Sequence, residues 1–126
     1  MNSFVLDSSA ILAVLNQEKG SQTAQTFFAN GIVSAVNLAE ILTKLIEQGH
    51  DSSSSMEAFN LLQLDVSSFD VAQARKAAEL RPLTKHLGLS LGDRSCLALA
   101  MLQNATAVTA DRDWCGLSFC PIEVIR

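Results

Sequence analysis

Four acidic side chains occupy positions from which they could act together in catalysis: Asp7, Glu40, Asp93 and Asp111. Each aspartate begins or follows a predicted buried element, and the glutamate lies on a helix that follows another predicted strand. Two carboxylates about 5 Å apart repel by roughly 3 kcal/mol at an effective dielectric constant of about 20, so such a group requires a cation or protons. Oxygen ligands without a nearby His or Cys favour a hard ion such as Mg²⁺ or Mn²⁺. Because Mg²⁺ also binds phosphate oxygens, the group predicts hydrolysis of a phosphodiester by an activated water.

Each acid also has an ordinary structural interpretation. Asp7 is explained as a turn or N-cap residue, Asp93 as a capping-box acid and Asp111 as the start of an Asx turn. Glu40 is explained as the solvated partner of Lys44, four residues further along the same helix. Taken singly, these interpretations are sufficient, and only the joint placement of the acids favours a metal site.

Strands and helices alternate along the chain, and these elements must position the acids. We predict strands over residues 3–6, 32–36, 64–66, 106–109 and 122–125. We predict helices over residues 10–15, 21–30, 38–46, 69–80 and 90–102, with another starting near Asp51. Pro82 is expected to end the helix before it, and a loop is expected through Gly88. Because parallel crossovers need helix-length connections, the alternation predicts an α/β fold whose mainly parallel sheet of four to five strands carries helices on both faces.

The predicted sheet brings the acids to one edge. In open α/β sheets, ligands bind beyond the carboxyl ends of the strands, and Asp7 and Asp111 fall just past such ends. The helix with Glu40 starts from the same edge after Ser34, and Asp93 opens the most apolar helix. The sequence therefore predicts that the four carboxylates meet at this edge.

Composition limits the class of protein. The 126 residues are 48% apolar and 17% charged, which is typical of one globular domain, residues 1–126, and excludes a disordered chain. The longest apolar run, Cys96–Leu102, is far below the ~18 residues that cross a bilayer. No secretory signal is evident, so we expect a cytoplasmic protein without a membrane partner.

Charge and cysteine content narrow the function further. Nine Lys and Arg residues against 13 Asp and Glu residues give a net charge of −4, which argues against a broad basic surface for nucleic acid. Any contact with nucleic acid is therefore expected to be local or metal-assisted. The three cysteines form no Cys-x-x-Cys pair and have no nearby His, so we interpret them as reduced packing residues rather than zinc ligands.

The four acids stand in short blocks whose order and spacing carry a family resemblance. The blocks are Phe4–Ala10, Val33–Glu40, Leu89–Arg94 and Val108–Trp114, and their acids are separated by 33, 53 and 18 positions. They resemble the acidic motifs of PIN domains, most closely the VapC-type toxins of bacterial toxin–antitoxin pairs. The resemblance extends over nearly the whole chain. It implies a compact three-layer α/β/α sandwich, an Mg²⁺- or Mn²⁺-dependent endoribonuclease with one or two ions, and an RNA substrate.

The same resemblance implies partners and residue roles. A small cognate antitoxin would block the site, and the chain would form a homodimer. Catalytic and metal-binding roles fall on Asp7, Glu40, Asp93 and Asp111. Thr109 resembles the hydroxyl residue that buttresses the last acid, and Asp113 would assist at a distance. Ser8 is a supporting candidate that is equally well explained, with Ser9, as a helix cap.

Three basic residues beside these acids are candidate contacts for the RNA backbone. Arg94 and Arg112 each adjoin a proposed ligand, and Lys44 lies one helical turn from Glu40. Solvated surface charge is an equally good interpretation of all three. The chain departs from the family pattern at Gly92, where alanine is common, and glycine there would loosen the first helical turn by under ~1 kcal/mol.

Two other functions use similar residues. A receiver-type phospho-acceptor signalling domain also places acids and Mg²⁺ at a parallel-sheet edge, but it needs an acidic pair after the first strand and a lysine after the fifth. Here Asp7 is followed by Ser8 and Ser9, and no such lysine is present. A catalytically silent PIN-like binding module, in which the acids dock a basic partner, is the second alternative.

Overall fold

A five-stranded parallel sheet forms the centre of the computed structural model, which describes residues 3–126. Its strands are Phe4–Leu6 (β1), Gly31–Ser34 (β2), Asp65–Ser67 (β3), Thr106–Thr109 (β4) and Ile122–Val124 (β5). The strand order is β3-β2-β1-β4-β5, and every neighbouring pair is parallel. The carboxyl ends of all five strands therefore meet at one edge, as the alternation predicts. Met1 and Asn2, the start of the predicted domain over 1–126, lie outside the described residues.

Helices connect the strands and cover the sheet. They are Ser8–Leu15 (α1), Ser21–Gln25 (α2), Ala35–Glu47 (α3), Ser52–Asn60 (α4), Val71–Glu79 (α5), Arg81–Thr84 (α6) and Leu91–Gln103 (α7). Short 3₁₀ turns occur at Phe28–Asn30, Lys85–Leu87 and Arg112–Gly116. Within residues 3–126, no helix combines the length and the apolar character that a membrane crossing requires.

The sheet separates two apolar cores because successive strand residues point to opposite faces. Val5 and Ile32 pack in one core, which α5 and α7 complete. Leu6 and Val33 pack in the other, which α1, α2, α3 and α4 complete. The fold is therefore the expected three-layer α/β/α sandwich.

Helix α7 is the most deeply buried helix segment of the described chain. The side chains from Cys96 to Ala100 are buried in succession, because this helix packs against β1, β2 and β4 and also contacts α5 and α3. A helix that is apolar on every side is expected in such a position. Its burial fixes the first turn of α7 relative to the sheet edge.

Several predicted boundaries of helices and strands are wrong. The strand predicted over 32–36 ends at Ser34, whose hydroxyl accepts a hydrogen bond from Val36 N at 3.2 Å and thereby caps α3. The helix predicted over 21–30 stops at Gln25 and is followed by a 3₁₀ turn. Pro82 stands in the first turn of α6, where its missing N–H costs nothing, so a short helix replaces the predicted loop.

The predicted start near Asp51 is confirmed, and α4 joins the core. Asp51 Oδ1 accepts a hydrogen bond from Ser54 N at 2.7 Å. Phe59 is fully buried, and Met56 and Leu62 pack partly buried against the same core. This apolar stripe therefore contributes mainly to the interior of the chain.

Replacing Leu97 on α7 by alanine is expected to destabilise the fold strongly. Leu97 is fully buried, so Leu97→Ala leaves a cavity between the sheet and α5 and should cost about 2–5 kcal/mol in the free energy of unfolding, measured by urea denaturation. Leu102 lies on the same helix but is 46% exposed, so Leu102→Ala should change stability much less. Equal losses in the two variants would contradict this placement of α7.

Candidate functional site

The carboxyl edge of the central strands gathers the predicted acids. Strand β1 runs into Asp7, and its neighbour β4 runs through Thr109 towards Asp111. Strand β2, on the other side of β1, runs directly into α3, which carries Glu40. Helix α7 contacts both α3 and β1, and Asp93 lies in its first turn. The fold therefore directs all four acids to one region of the sheet edge.

Asp7 is the most buried of these acids, at 3% exposure. Its Oδ2 accepts hydrogen bonds from Ser9 Oγ at 2.7 Å and from Thr109 Oγ1 at 3.0 Å. Its Oδ1 is buried and has no hydrogen-bond partner in the described chain. The backbone of Asp7 occupies the N-cap position of α1, but its side chain makes no capping hydrogen bond. The interpretation of the Asp7 side chain as a helix cap is therefore wrong.

A hydroxyl pair connects Asp7 to the end of β4. Thr109 Oγ1 donates to Asp7 and accepts from Asp111 N at 3.0 Å. Ser9 Oγ donates to the same carboxylate oxygen and accepts from Ala110 N at 3.0 Å. Thr109 therefore buttresses both the first and the last acid, while Ser9 acts in the site rather than as a cap.

Asp111 is held by its own turn. Its Oδ1 accepts a hydrogen bond from Asp113 N at 2.9 Å, which is the Asx-type interaction that the sequence predicts as the ordinary alternative. The Asp113 side chain is exposed. This turn orients the Asp111 carboxylate at the end of β4.

Glu40 turns towards the site rather than towards solvent. Its Oε1 accepts hydrogen bonds from Ser8 Oγ and from Asn37 Nδ2, both at 2.9 Å. Lys44 instead pairs with Glu47, with Nζ and Oε1 3.7 Å apart. The alternative interpretation of Glu40 as the solvated partner of Lys44 is therefore wrong, because hydroxyl and amide donors on the inner side hold the carboxylate.

Asp93 forms the predicted capping box with Ser90. Its Oδ2 accepts a hydrogen bond from Ser90 N at 2.9 Å, and Ser90 Oγ accepts from Asp93 N at 3.2 Å. Burial raises the pKa of the Asp93 carboxyl, and the hydrogen bonds to Ser90 oppose that rise. The negative charges of Glu40 and Asp111 raise the pKa further. Asp93 therefore caps α7, and its pKa also depends on the charges of two other acids of the site.

The pKa of Asp7 is strongly raised. Burial raises it from 3.8 to about 7, and the hydroxyl groups of Ser9 and Thr109 act in the opposite direction. The charges of Asp93 and Glu40 add to the increase. Because each of the four acids affects the pKa of another or is affected by one, they form a single electrostatic group.

The four acids are coupled electrostatically but do not form a complete set of metal ligands in the described residues. No group of three or more His, Cys, Asp or Glu side chains in residues 3–126 has an arrangement that could hold a metal ion directly. Even so, the donor set fits a hard cation. The buried Asp7 Oδ1 has no hydrogen-bond partner in the described chain. Repulsion between the carboxylates disfavours their ionised forms unless a cation is bound. The available ligand atoms are carboxylate oxygens, which hard cations prefer. Cys96 is buried and donates to Val5 O, so no soft ligand is offered.

The predicted basic contacts have different surroundings. Arg94 NH1 donates to Ala77 O at 2.9 Å and links α7 to α5. Arg112 Nε donates to Arg126 O at 2.9 Å on an exposed surface. Lys44 is exposed and lines a cavity of about 590 Å³ that lies between α1, α3 and the start of α7 and adjoins Glu40. Of the three, Arg94 has a clear structural role.

Sequence reasoning missed two polar residues of the site, Ser9 and Asn37. Ser9 lies two positions after Asp7 and was interpreted only as a helix cap. Asn37 is fully buried and lies three positions before Glu40, a spacing that places both side chains on one side of α3. The signal in the sequence is a polar residue at helical spacing from a candidate acid.

A family model described as the PIN domain matches residues 4–119. The chain therefore belongs to the PIN domain family. The receiver-type alternative is wrong, since receiver domains have the strand order 2-1-3-4-5, whereas this sheet has the order β3-β2-β1-β4-β5.

Solved structures with the same fold come from toxin–antitoxin complexes and toxins. VapBC2 from Rickettsia felis, bound to a promoter DNA fragment, is 17% identical, with a TM-score of 0.76 and 98% of each chain covered. DNA-bound VapBC from Salmonella typhimurium is 17% identical, with a TM-score of 0.77 and 100% of each chain covered. VapC20 from Mycobacterium tuberculosis, a toxin that cleaves the sarcin-ricin loop, is 18% identical, with a TM-score of 0.74 and coverage of 94% of this chain and 99% of its own. Comparison with curated proteins gave no match.

The metal-free fold should lose stability as the pH rises from about 4 to about 7. Asp7 has a pKa of about 7 in the folded chain and an ordinary value of 3.8 when unfolded. In this range the folded chain keeps a proton that the unfolded chain has released, which contributes a loss of up to about 4 kcal/mol on going to high pH. Asp7→Asn should flatten this dependence and raise the metal-free melting temperature at pH 8.

Asp51→Asn provides the matched control. Asp51 is exposed, and its hydrogen bond to the Ser54 backbone lowers its pKa, so its removal should leave the slope between pH 4 and 7 unchanged. A lower melting temperature for Asp7→Asn at pH 8, with the wild-type slope retained, would contradict the inferred burial of an uncompensated carboxyl group.

Proposed function

We propose that this chain is a metal-dependent endoribonuclease that hydrolyses RNA phosphodiester bonds in the cytoplasm, as the toxin of a toxin–antitoxin pair. One observation carries the proposal. The buried Asp7 carboxyl, with its unpartnered Oδ1, is coupled to Asp93 and Glu40 at the carboxyl edge of a PIN-domain sheet. A perturbed acid in such a position is a candidate for a functional site.

In this proposal, Asp7, Asp93 and Asp111 would hold one or two Mg²⁺ or Mn²⁺ ions, and Glu40 would bind or position the second ion or its water. When bound, such an ion would supply charge stabilisation at the phosphate and a more acidic water as the nucleophile for hydrolysis. The chain's own residues set the geometry. Ser9 and Thr109 hold Asp7 through Oδ2, which leaves Oδ1 without a protein partner.

The supporting residues have distinct tasks in this mechanism. Thr109 fixes the separation of Asp7 and Asp111, because one hydroxyl is bonded to both residues. Ser8 orients Glu40, and the exposed Asp113 assists at a distance. Both histidines, His50 and His86, are exposed, and the mechanism needs no histidine base.

RNA binding in this proposal depends on the ions and on local positive charge. Lys44 and Arg112 are exposed and available to the backbone, and Arg94 would contribute through the part of its guanidinium that Ala77 does not use. With a net charge of −4, the chain offers little general attraction to RNA. We therefore expect weak binding in the absence of divalent ions.

A small cognate antitoxin would block this site, and the chain would form a homodimer. Family membership supports the first expectation, since relatives of the same fold are known in VapBC complexes. Co-purification with the product of an adjacent small gene tests for the antitoxin. Sedimentation tests for the dimer.

Purified protein, freed of any partner, should cleave RNA with Mg²⁺ or Mn²⁺ and stop when the ions are chelated. Asp7→Asn and Asp93→Asn should each lower the cleavage rate on the order of 100-fold or more, because each removes a proposed ligand. The measurement is the rate of product formation on a panel of transfer, ribosomal and messenger RNAs.

Asp70→Asn provides the matched control for these variants. Asp70 Oδ1 caps α5 by accepting from Gln73 N at 2.9 Å, and asparagine caps a helix equally well. This variant should cleave at the wild-type rate. RNA binding without cleavage under all these conditions would favour the catalytically silent binding module, and wild-type rates for Asp7→Asn would contradict the assigned site.

A further inference from the structure

The Glu40 carboxylate is held between α3 and the first turn of α7 by an arrangement that includes Asn37 and Gly92. Asn37 Nδ2 donates to Glu40 Oε1 at 2.9 Å and to Gly92 O at 3.0 Å. Asn37 is fully buried, and the other buried residues of its helix, Ile41 and Leu45, are apolar. One side-chain amide therefore joins the acid of α3 to the backbone of α7.

The orientation of the Asn37 amide follows from its neighbours. Both Glu40 Oε1 and Gly92 O are acceptors, so the NH₂ group must face them. The amide oxygen is left buried without a hydrogen-bond partner in the described chain. An unsatisfied buried polar atom is unfavourable, so simple packing gives no reason for an asparagine here. Its retention is understandable if holding Glu40 is the task.

Gly92 leaves the space that the Glu40 carboxylate occupies. A Cβ atom at residue 92 would overlap both carboxylate oxygens and the carbon between them. Gly92 lies in the first turn of α7 and has no positive φ, so its backbone is one that alanine adopts readily. Space, rather than backbone conformation, therefore favours glycine at this position as long as Glu40 keeps its place.

We propose that Asn37 and Gly92 are positioning residues that clamp the Glu40 carboxylate beside Asp93. The Asn37 amide holds Glu40 Oε1, and the absence of a side chain at Gly92 lets the carboxylate pack against α7. The inference rests on the proposed function insofar as Glu40 serves the ion site. Alanine is common in the family at the position of Gly92. The small loss of helix stability that glycine causes here is then offset by the space it gives to the Glu40 carboxylate.

A double-mutant cycle tests the clamp without metal or RNA. Gly→Ala at a compatible helical position normally stabilises a protein. In the Glu40→Ala background, Gly92→Ala should raise the metal-free melting temperature by about 2–5 °C. In the wild-type background it should give no increase, because the new methyl group must displace the carboxylate. Equal shifts in the two backgrounds would overturn the proposal.

Gly116→Ala is the matched control for the cycle. A Cβ at Gly116 meets no atom within 4 Å, and its φ is not positive. Its effect on the melting temperature should therefore be the same with and without Glu40. A control that also depends on Glu40 would show that the cycle reports a general response to Glu40→Ala, and the inference would fall.

Mn²⁺ binding separates positioning from packing. Asn37→Ala should weaken Mn²⁺ affinity about 10-fold, measured by electron paramagnetic resonance on protein that is still folded, as expected when a residue supporting a metal ligand is lost. Asn37→Leu keeps a similar shape but removes the donor without adding charge, and it should weaken binding at least as much. Wild-type affinity in both folded variants would overturn the positioning role.

The outcomes distinguish this inference from the proposed function. Absence of RNA cleavage, with coupling in the cycle and weakened Mn²⁺ binding in the Asn37 variants, would contradict the nuclease and support the clamp. Absence of Mn²⁺ binding by the wild-type chain would contradict the ion site and with it the role of the clamp towards an ion. Cleavage with additive shifts in the cycle would contradict the clamp alone.

Discussion

The desolvation of the Asp7 carboxyl group is the constraint on which the rest of the site depends. The parallel sheet places this acid at a strand end, and the two cores on either side remove nearly all water from it. Two hydroxyl groups donate to one oxygen, the other oxygen has no hydrogen-bond partner in the described chain, and the charges of Asp93 and Glu40 raise the pKa of the group. A buried charge without compensation is costly, so the folded chain favours whatever neutralises the group, a proton or a cation. The ionised Asp7 carboxylate therefore lowers the stability of the metal-free fold and raises its affinity for a cation.

Much of the fold could be predicted from the sequence because its strongest patterns are periodic and local. The apolar stripe of α3, the unbroken apolar segment of α7 and the β-branched strand ends each follow from short-range rules. The boundaries that failed depend on single residues. Ser34 caps α3 earlier than the run of apolar residues indicates, and Pro82 follows the end of α5 as expected but also opens α6 in place of the expected loop. Composition does not distinguish these alternatives, since the same residues serve both.

The candidate site was predictable to the level of its acids but not of their contacts. Strand ends in a parallel sheet converge, so the joint placement of Asp7 and Asp111 follows from topology. The direction of Glu40 does not, because its spacing from Lys44 is equally consistent with a surface ion pair. Only the packing of α1 and α7 against α3 brings Ser8 and Gly92 to that side chain. Long-range contacts of this kind leave no local pattern.

Ordinary structural roles and proposed functional roles coincide at several residues of this site rather than excluding each other. Asp93 completes a capping box and also has its pKa raised by Glu40 and Asp111. Asp111 closes an Asx turn with one oxygen, and Thr109 supports two acids while ending a strand. A capping or turn hydrogen bond fixes a carboxylate at low entropic cost, because the backbone that supplies the donor is already ordered. The local interpretation of such an acid therefore explains how it is held in place, and the charges around it indicate what it is held for.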